Sequence, residues 1–312
     1  MEDKMISFVI PCYYSMETIT GVVDEVINTV ENKYRYEVIL VNDGSTDKTF
    51  EVIKNLCNKN NHIKGINLSK NFGQHSAIMA GFSYVEGDVV VTVDDDGQIA
   101  IDEVIKLITP ILEDDYDIAV AKYKEKKQSK FKNFGSYVND CMAKLLLSKP
   151  KGLYFSSFMA IKRYVVDEIT KYENPYPYLE GLFLRTTLKI INIETNHKER
   201  SIGRTTYTFK KLLSLWMNGF TAFSVKPLRI GSVFGILLAM MGVIYSIYIV
   251  IHKIENPSIQ LGWSSLMAVQ LIIGGAILGV LGLIGEYIGR IYICLNKSPQ
   301  YVVREYISNK ED

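Results

Sequence analysis

Several features that would assign a function at once are missing from this chain of 312 residues. Its four cysteines show no C-x-x-C spacing, which argues against a zinc ribbon or a disulfide framework and indicates a reducing compartment. Neither G-x-G-x-x-G nor G-x-x-x-x-G-K-[ST] occurs, so the dinucleotide fingerprint and the P-loop are both absent. The net charge of +1 gives no basis for predicting nucleic-acid binding.

What the sequence does contain is a buried strand that ends in three carboxylates. Val89–Val93 is an uninterrupted β-branched run, which is typical of a strand buried on both faces. Asp94, Asp95 and Asp96 follow it, at the end of the strand where open α/β sheets bind ligands. Because clustered carboxylates repel one another, we predict a divalent cation shared with substrate phosphates. Side-chain alternation places Asp94 and Asp96 toward the crevice and leaves Asp95 as a bystander.

Strand and helix patterns alternate from about residue 5 to residue 122. The predicted strands are Ile6–Ile10, Glu37–Val41, Ile63–Leu68, Val89–Val93 and Asp117–Ala121. The predicted helices are Thr18–Val30, Asp47–Asn58, Ser76–Val85 and Ile101–Leu112. Such alternation indicates a mostly parallel sheet with right-handed crossovers. Asp43 also follows a strand, so acidic residues at two strand ends predict a nucleotide crevice along one edge.

A cluster of lysines follows the fifth predicted strand. Its members are Lys122, Lys124, Lys126, Lys127, Lys130 and Lys132. A solvated basic loop is the simpler interpretation for most of them. As a group they also place positive charge near the crevice and near an anionic membrane surface.

Two long uncharged stretches follow, Ile230–Ile251 and Ser264–Gly285, each about 22 residues long. At about 1.5 Å per residue, each can cross a hydrocarbon core of about 30 Å. We therefore predict two transmembrane helices, with two buried helices of a soluble domain as the less favoured alternative. The run Met5–Ile10 is too short for the apolar core of a signal peptide, so none is expected.

Basic residues predict the orientation of these helices. They flank the pair on both outer sides, at Lys210, Lys211, Lys226, Arg229, Arg290, Lys297 and Arg304. The connector 252–263 carries only Lys253, which Glu255 offsets. The positive-inside rule therefore places the N-terminal domain and both termini in the cytoplasm. Aromatic, apolar and basic residues between Tyr207 and Ser224 fit an interfacial helix, with an ordinary core helix as the alternative.

Small residues form one face of the second uncharged stretch. They are Gly275, Gly279, Gly282, Gly285 and Gly289. Such a face permits close packing of helices, either within the hairpin or between protomers. We expect a homo-oligomer, although glycine is common enough in membrane helices for chance to explain the pattern.

Several motifs, in this order, resemble the family-two glycosyltransferases and, among them, the polyprenyl-phosphate enzymes related to dolichol-phosphate mannose synthase and bactoprenol glucosyltransferases. The motifs are Val9–Tyr13, Val41–Asp47, Asn71–His75 with Ala80-Gly81, Asp94–Gln98, Phe223–Arg229 and Gly285–Tyr292. The resemblance covers nearly the whole chain. It implies an α/β, GT-A-like, mostly parallel open sheet with flanking helices, followed by an interfacial helix and a two-helix transmembrane hairpin. The expected divisions are a cytoplasmic domain (1–205), a juxtamembrane segment (206–229), two spans (230–293) and a cytoplasmic tail (294–312).

The resemblance also implies roles for individual residues. Asp94 and Asp96 match the D-x-D motif, and Asp94, Asp96 and Gln98 would bind Mg²⁺ or Mn²⁺. The positions that match donor-nucleotide binding are Pro11, Tyr13, Glu17, Asp43 and Asp94. The positions expected to bind phosphate or line the path of the acceptor are Lys122, Lys132, Arg200, Arg204 and Tyr207, with Arg200 also expected to be catalytic. The chain departs from the family pattern at Asn42, at Ile99-Ala100-Ile101 and at Ser156-Ser157.

The implied reaction is the inverting transfer of one sugar from a nucleotide-sugar, with a UDP-sugar favoured, to undecaprenyl or another polyprenyl phosphate. The expected location is the cytoplasmic membrane of a bacterium. A phosphate monoester with a second pKa near 6 needs no strong general base at pH 7. Two alternatives are less favoured. A processive polysaccharide synthase would carry Q-x-x-R-W, which is absent, and a decayed, non-catalytic scaffold conflicts with intact Asp94, Asp96 and Gln98. His75 is open to a structural or a functional interpretation.

Overall fold

The computed structural model describes residues 4–123, 150, 152–196, 226–255, 262–296 and 298–308. Its strands are β1 Met5–Cys12, β2 Arg35–Asn42, β3 Ile63–Leu68, β4 Val89–Thr92, β5 Ile118–Tyr123, β6 Met159–Lys162, β7 Ile190–Thr195 and β8 Val303–Ile307. Its α-helices are α1 Ile19–Val30, α2 Thr49–Lys59, α3 Gln74–Phe82, α4 Val104–Leu112, α5 Arg163–Thr170, α6 Leu179–Thr186, α7 Lys226–Glu255 and α8 Trp263–Leu295. A 3₁₀ helix, Ile101–Glu103, precedes α4.

These strands form one mixed sheet in the order β7-β5-β6-β4-β1-β2-β3-β8. The neighbours β4-β1-β2-β3 are parallel, and β5 is parallel to β7. Strand β6 runs antiparallel between β4 and β5, and β8 runs antiparallel to β3. The carboxyl ends of β1 to β5 and of β7 therefore lie along the same edge. This arrangement confirms the predicted α/β class with a mostly parallel sheet.

The sheet is buried on both faces because residues of β1 alternate between two apolar cores. Phe8 and Ile10 pack in the core that contains α1, whereas Val9 packs in the core that contains α3. Helix α3 lies very close to the sheet at Gly81, where an added Cβ would come within 2.4 Å of Val9 Cγ1. A larger residue at position 81 would therefore push α3 away from the strand ends that it flanks.

The predicted strands and helices between residues 5 and 122 are confirmed, with bounds that differ by a few residues. Strand β4 ends at Thr92, and Ile101–Leu112 divides into the 3₁₀ helix and α4. Strands β6, β7 and β8 were not predicted. Strand β6 has only four residues, which is too short for a periodic signal.

Strand β8 returns to the N-terminal sheet after the two long C-terminal helices. Ser69 N donates to Val302 O at 2.9 Å as the segment reaches β3. Tyr306 stacks on Tyr84 with ring centroids 4.8 Å apart, and Lys54 forms a 2.6 Å ion pair with Glu305. The segment predicted as a separate tail thus contributes the edge strand of the sheet.

Helices α7 and α8 are long and expose large apolar side chains, such as Ile254 (73%) and Leu278 (70%). Among the described residues, Ile272–Leu295 is the stretch long and apolar enough to cross a membrane, with a mean hydropathy of 1.8, and Val233–Tyr245 is a shorter apolar stretch. The two helices contact each other near Gly231, where an added Cβ would lie 3.7 Å from Val280 Cγ2. The predicted interfacial segment lies outside the described residues up to position 225.

Removal of β8 should destabilise the N-terminal domain, because β3 would keep β2 but lose its hydrogen-bonded neighbour on the other side and expose that edge. We expect a chain ending at Asn296 to unfold at least about 5 °C lower in detergent, for a loss of about 2 kcal/mol. A chain ending at Ser308 keeps every contact described here and should unfold within about 1 °C of the full chain. Equal unfolding temperatures for the two truncated chains would show that β8 adds nothing to stability.

Candidate active site

The loops after β1, β2 and β4 meet at the carboxyl edge of the sheet because the strands are in register. Cys12 pairs with Asn42, and Asp43 N donates to Cys12 O at 2.9 Å. On the other side of β1, Val93 N donates to Val9 O at 3.1 Å, which aligns the end of β4 with the end of β1. The segment that carries the three aspartates therefore lies at the same edge of the sheet as Asp43.

Asp94 is held by one donor on each carboxylate oxygen. Gln74 Nε2 donates to Oδ1 at 2.9 Å, and Ser157 Oγ donates to Oδ2. Burial raises the pKa of Asp94 to about 6; the Ser157 hydrogen bond opposes this shift, and the neighbouring Asp96 adds to it. A carboxylate in this environment gains stability from a nearby cation.

Asp96 and Gln98 contact each other directly across a tight turn. Asp96 accepts from Gln98 N at 3.0 Å and from Gln98 Nε2 at 2.7 Å. Gly97 between them has φ +69°, a conformation that glycine adopts without strain. The turn keeps the Asp96 carboxylate and the Gln98 amide together, as two side chains that share one ligand require.

Asp95 is not a bystander, and that prediction is wrong. Its Oδ2 accepts from Tyr13 N at 3.0 Å and from Ser15 Oγ. Both donors belong to the loop between β1 and α1, 82 and 80 residues earlier in the chain. Burial raises the pKa of Asp95, and the hydrogen bond from Ser15 opposes the shift. Strand alternation does not extend to Asp95, because β4 ends at Thr92 and the three aspartates follow it in a turn.

Asp43 binds the loop between β3 and α3. Its two carboxylate oxygens accept from Phe72 N at 2.7 Å and from Gly73 N at 2.9 Å. The next residue, Gly44, has φ +67°, and an added Cβ would lie 2.3 Å from the Lys70 carbonyl carbon. Close contact between these two loops therefore requires glycine at position 44. Asp43 is 3% exposed, and each of its oxygens retains a lone pair for a ligand.

The other residues expected to bind the donor differ in exposure. Pro11 is buried within β1, and Glu17 is exposed in the loop that precedes α1. Tyr13 is 50% exposed at the mouth of the crevice, and its ring lies edge-on to that of Tyr14 at 4.5 Å. Tyr13 and Asp43 thus lie on the loops that form the crevice, with an exposed aromatic ring beside the carboxylates.

Lys122 lies near the carboxyl end of β5, exposed and paired in register with Glu194 of β7. It therefore lies at the same edge of the sheet as Asp94. The remaining residues expected to bind phosphate or the acceptor lie outside the described residues. They are Lys132, Arg200, Arg204 and Tyr207.

Several residues of the site were not predicted from the sequence. Gln74 lies within the Asn71–His75 motif, but the sequence analysis assigned it no function. Ser157 was noted only as a departure from the family pattern. Tyr123 lies close to the carboxylates: burial raises its pKa, and the charges of Asp94 and Asp96 raise it further. No local pattern could have revealed these contacts, because each joins segments far apart in the sequence.

The contacts of His75 favour a structural role over a functional one. Its Nδ1 accepts from Leu179 N at 3.3 Å, and its ring stacks on Tyr178 with centroids 5.8 Å apart. Burial lowers the pKa of His75, which keeps the ring neutral. The histidine therefore joins α3 to the start of α6.

The donor set suits a hard divalent cation. No lysine, arginine or histidine within the described ranges lies within 4 Å of the carboxylates of Asp94, Asp95 or Asp96, so their charge has no cationic partner there. That part of the chain also holds no preformed cluster of three acidic, histidine or cysteine ligands. Asp94 and Asp96 with the Gln98 amide therefore fit Mg²⁺ or Mn²⁺, which commonly bind through one or two carboxylates and complete their shell with phosphate oxygens and water.

Comparison with known sequences agrees with this geometry. Residues 7–170 match Glycosyl transferase family 2, and residues 226–291 match the GtrB C-terminal hairpin. The chain is 31% identical, over 98% of its length and 95% of the relative's, to undecaprenyl-phosphate 4-deoxy-4-formamido-L-arabinose transferase of Proteus mirabilis. It is 33% identical to an uncharacterised glycosyltransferase of Bacillus subtilis, over 88% of this chain and 85% of that one.

Solved structures share the fold. Glucosyl-3-phosphoglycerate synthase of Mycobacterium tuberculosis, in complex with Mn²⁺, UDP and glucosyl-3-phosphoglycerate, superposes with a TM-score of 0.52. The identity is 16%, and the match covers 70% of this chain and 78% of the synthase.

The contact between Ser157 and Asp94 should support cation binding. Replacement of Ser157 by alanine removes a hydrogen bond that orients the Asp94 carboxylate and favours its charged form, so the affinity for Mn²⁺ should fall about tenfold. The matched control is Ser156→Ala, because Ser156 donates to Ala121 O and Phe158 O instead. Its Mn²⁺ affinity should stay within about twofold of the original. Titration calorimetry on the full chain in detergent tests this, and equal affinities of the two variants would contradict it.

Proposed function

Because the chain belongs to glycosyl transferase family 2, we propose that it transfers one sugar from a nucleotide-sugar to undecaprenyl phosphate or a related polyprenyl phosphate. The reaction inverts the anomeric carbon. The observation that carries this proposal is that one folded chain contains both an acidic crevice and a pair of apolar helices. Asp94 and Asp96, in the crevice, have no cationic partner among the described residues. The sheet that carries them is joined through β8 to the two long apolar helices. A phosphate-binding site next to a membrane hairpin suits an acceptor that is itself a membrane lipid.

The donor binds at the loops after β1, β2 and β4. The exposed ring of Tyr13 and the carboxylate of Asp43 would face the nucleoside, while Asp94, Asp96 and Gln98 would hold a divalent cation. A bound Mg²⁺ or Mn²⁺ supplies Lewis-acid stabilisation of the negative charge on the departing nucleoside diphosphate. Gln74 and Ser157 keep Asp94 oriented while this charge develops. The crevice thus contributes positioning and electrostatic stabilisation.

The acceptor phosphate attacks the anomeric carbon without the help of a strong base. A phosphate monoester has a second pKa near 6, so its oxygen is already anionic at pH 7. Lys122, at the same sheet edge as Asp94, lies where it can help hold this phosphate. Lys132, Arg200, Arg204 and Tyr207 are the further residues that we assign to acceptor binding. The sugar–phosphate bond to the donor breaks as the bond to the acceptor oxygen forms, which inverts the configuration.

The fold supports a hairpin that crosses the membrane twice. Strand β8 follows α8 and pairs with β3, so the chain returns to the domain from which α7 departs. A return to the same sheet requires an even number of crossings. Two spans place the N-terminal domain and the C-terminus on the same side, and the positive-inside rule identifies that side as the cytoplasm. The apolar side chains exposed on α7 and α8 then face lipid or a second protomer.

Replacement of Asp96 by asparagine should abolish formation of the lipid-linked sugar, because the cation loses a charged ligand. Membranes are incubated with Mn²⁺, undecaprenyl phosphate and a panel of radiolabelled UDP-, GDP- and dTDP-sugars, and label is counted in the chloroform-soluble lipid. We expect one donor to label the lipid and Asp96→Asn to reduce that label at least about a hundredfold.

The matched control is Asp114→Asn, an exposed acidic residue away from the crevice. It should leave the label unchanged. Label in a long water-soluble polymer would indicate a processive synthase, and no turnover of any donor would contradict the proposed function.

The proposed topology can be measured by cysteine labelling in intact cells. In a chain that lacks Cys141 and Cys294, we introduce Ser258→Cys between the two helices or Asp312→Cys at the C-terminus. A membrane-impermeant maleimide should label position 258 in intact cells and position 312 only after the cells are permeabilised. Labelling of both positions from the same side would exclude the two-span hairpin.

A further inference from the structure

The loop between β1 and α1, residues 13–18, depends on one carboxylate oxygen for its contact with the end of β4. Oδ2 of Asp95 accepts from Tyr13 N at 3.0 Å and from Ser15 Oγ. Three of its large side chains are exposed to solvent, with Tyr13 at 50%, Tyr14 at 53% and Met16 at 42%, whereas Ser15 is buried and its N donates to Thr49 Oγ1 at 3.0 Å. Apolar packing therefore contributes little to the position of the exposed rings, and hydrogen bonds must determine it.

The other side of the same loop is bound to the segment after β2. Tyr14 N donates to Ser45 Oγ at 3.1 Å, and the Tyr14 hydroxyl lies 2.8 Å from Thr46 Oγ1. These contacts hold Tyr14 at φ +57°, a backbone conformation that a bulky residue adopts only when its surroundings impose it. The loop is thus fixed from both sides, and Asp95 provides the described polar contacts on the β4 side.

The position of Asp95 links this loop to the cation ligands. Its immediate neighbours in the chain are Asp94, which accepts from Gln74, and Asp96, which accepts from Gln98, while its own side chain binds the loop. The backbone of three consecutive residues therefore fixes the separation between the cation and the Tyr13 ring. A third carboxylate also adds repulsion to the cluster, a cost that two converging hydrogen bonds offset.

We propose that Asp95 is a positioning residue that holds the Tyr13 loop at a fixed distance from Asp94 and Asp96. A nucleoside diphosphate can then contact the exposed Tyr13 ring with its nucleoside and the cation with its phosphates. Asp95 acts through the loop and touches neither the cation nor the reacting atoms. This inference rests on the proposed function only in taking a nucleotide as the ligand of the crevice.

A comparison of the variants Asp95→Asn and Asp95→Ala distinguishes this positioning role from a role that depends on negative charge. An asparagine side chain can present its carbonyl oxygen to both Tyr13 N and Ser15 Oγ, whereas alanine leaves both donors without a partner. If the loop contact matters, Asp95→Ala should raise the KM for the donor about tenfold or more and change kcat less than about threefold. Asp95→Asn should restore the donor KM to within about threefold of the original value.

Ser15→Ala tests the same contact from the loop and remains informative if Asp95→Ala folds poorly. It removes one of the two donors, so the donor KM should rise about threefold to fivefold. The double variant Asp95→Ala/Ser15→Ala should be no worse than Asp95→Ala alone, because the two residues share one interaction. Asp102→Ala, at an exposed acidic position seven residues further along the chain, is the control for surface charge.

Nucleotide binding provides a second measurement that does not depend on turnover. The affinities for UDP, GDP and dTDP, each with saturating Mn²⁺, are measured by calorimetry on the full chain in detergent. The nucleotide that binds tightest should bind about tenfold more weakly to Asp95→Ala and within about threefold of normal to Asp95→Asn. If the chain makes no lipid-linked sugar but these affinities follow this order, the proposed function fails and the role of Asp95 stands.

Three results would overturn the positioning role. The first is a donor KM and nucleotide affinity of Asp95→Ala within twofold of the original values. The second is equal impairment of Asp95→Asn and Asp95→Ala, which would show that the charge matters and the loop contact does not. The third is a loss of kcat with an unchanged donor KM, which would place Asp95 in the chemical step.

Discussion

Repulsion among the carboxylates at the end of β4 is the constraint on which the rest of the crevice depends. Within the described residues, no cationic side chain balances Asp94, Asp95 or Asp96, and neutral donors hold them instead. The donors of Asp94 and Asp95 come from three other parts of the chain, so these two aspartates order several loops at once. In the proposed reaction a divalent cation would complete this arrangement electrostatically, so the residues that shape the crevice would also bind the diphosphate.

A second constraint joins the crevice to the apolar helices. A polyprenyl phosphate presents its charged group only at the membrane surface, so the enzyme proposed here must keep its crevice close to that surface. Strand β8 contributes to this, since it ties the end of α8 back to β3. The chain therefore enters and leaves the apolar hairpin from one domain, and the hairpin is anchored to the sheet at its C-terminal end by β-sheet hydrogen bonds.

The parts of this protein that the sequence predicted are those with local signals. The β-branched run of β4 and the regular alternation of strands and helices indicated the class of fold, and the three aspartates predicted a cation site. Strands β6 and β8 carry no such signal, because β6 is short and β8 pairs with a strand more than 230 residues away. The role of Asp95 was missed because strand alternation does not extend beyond the end of β4 and does not indicate which loop a side chain meets.

The sequence by itself determined the α/β class and the family, and it predicted a divalent cation beside a phosphate. Periodicity is sufficient for the class of fold, since it reflects burial along the chain, whereas the family was identified from the order of the motifs. Only the tertiary structure decided how the loops fit together, through hydrogen bonds that three carboxylates accept. Asp43 accepts from Phe72 and Gly73, Asp94 from Gln74 and Ser157, and Asp95 from Tyr13 and Ser15. These contacts depend on the register of neighbouring strands, which brings together residues that are distant in sequence and that no local pattern relates.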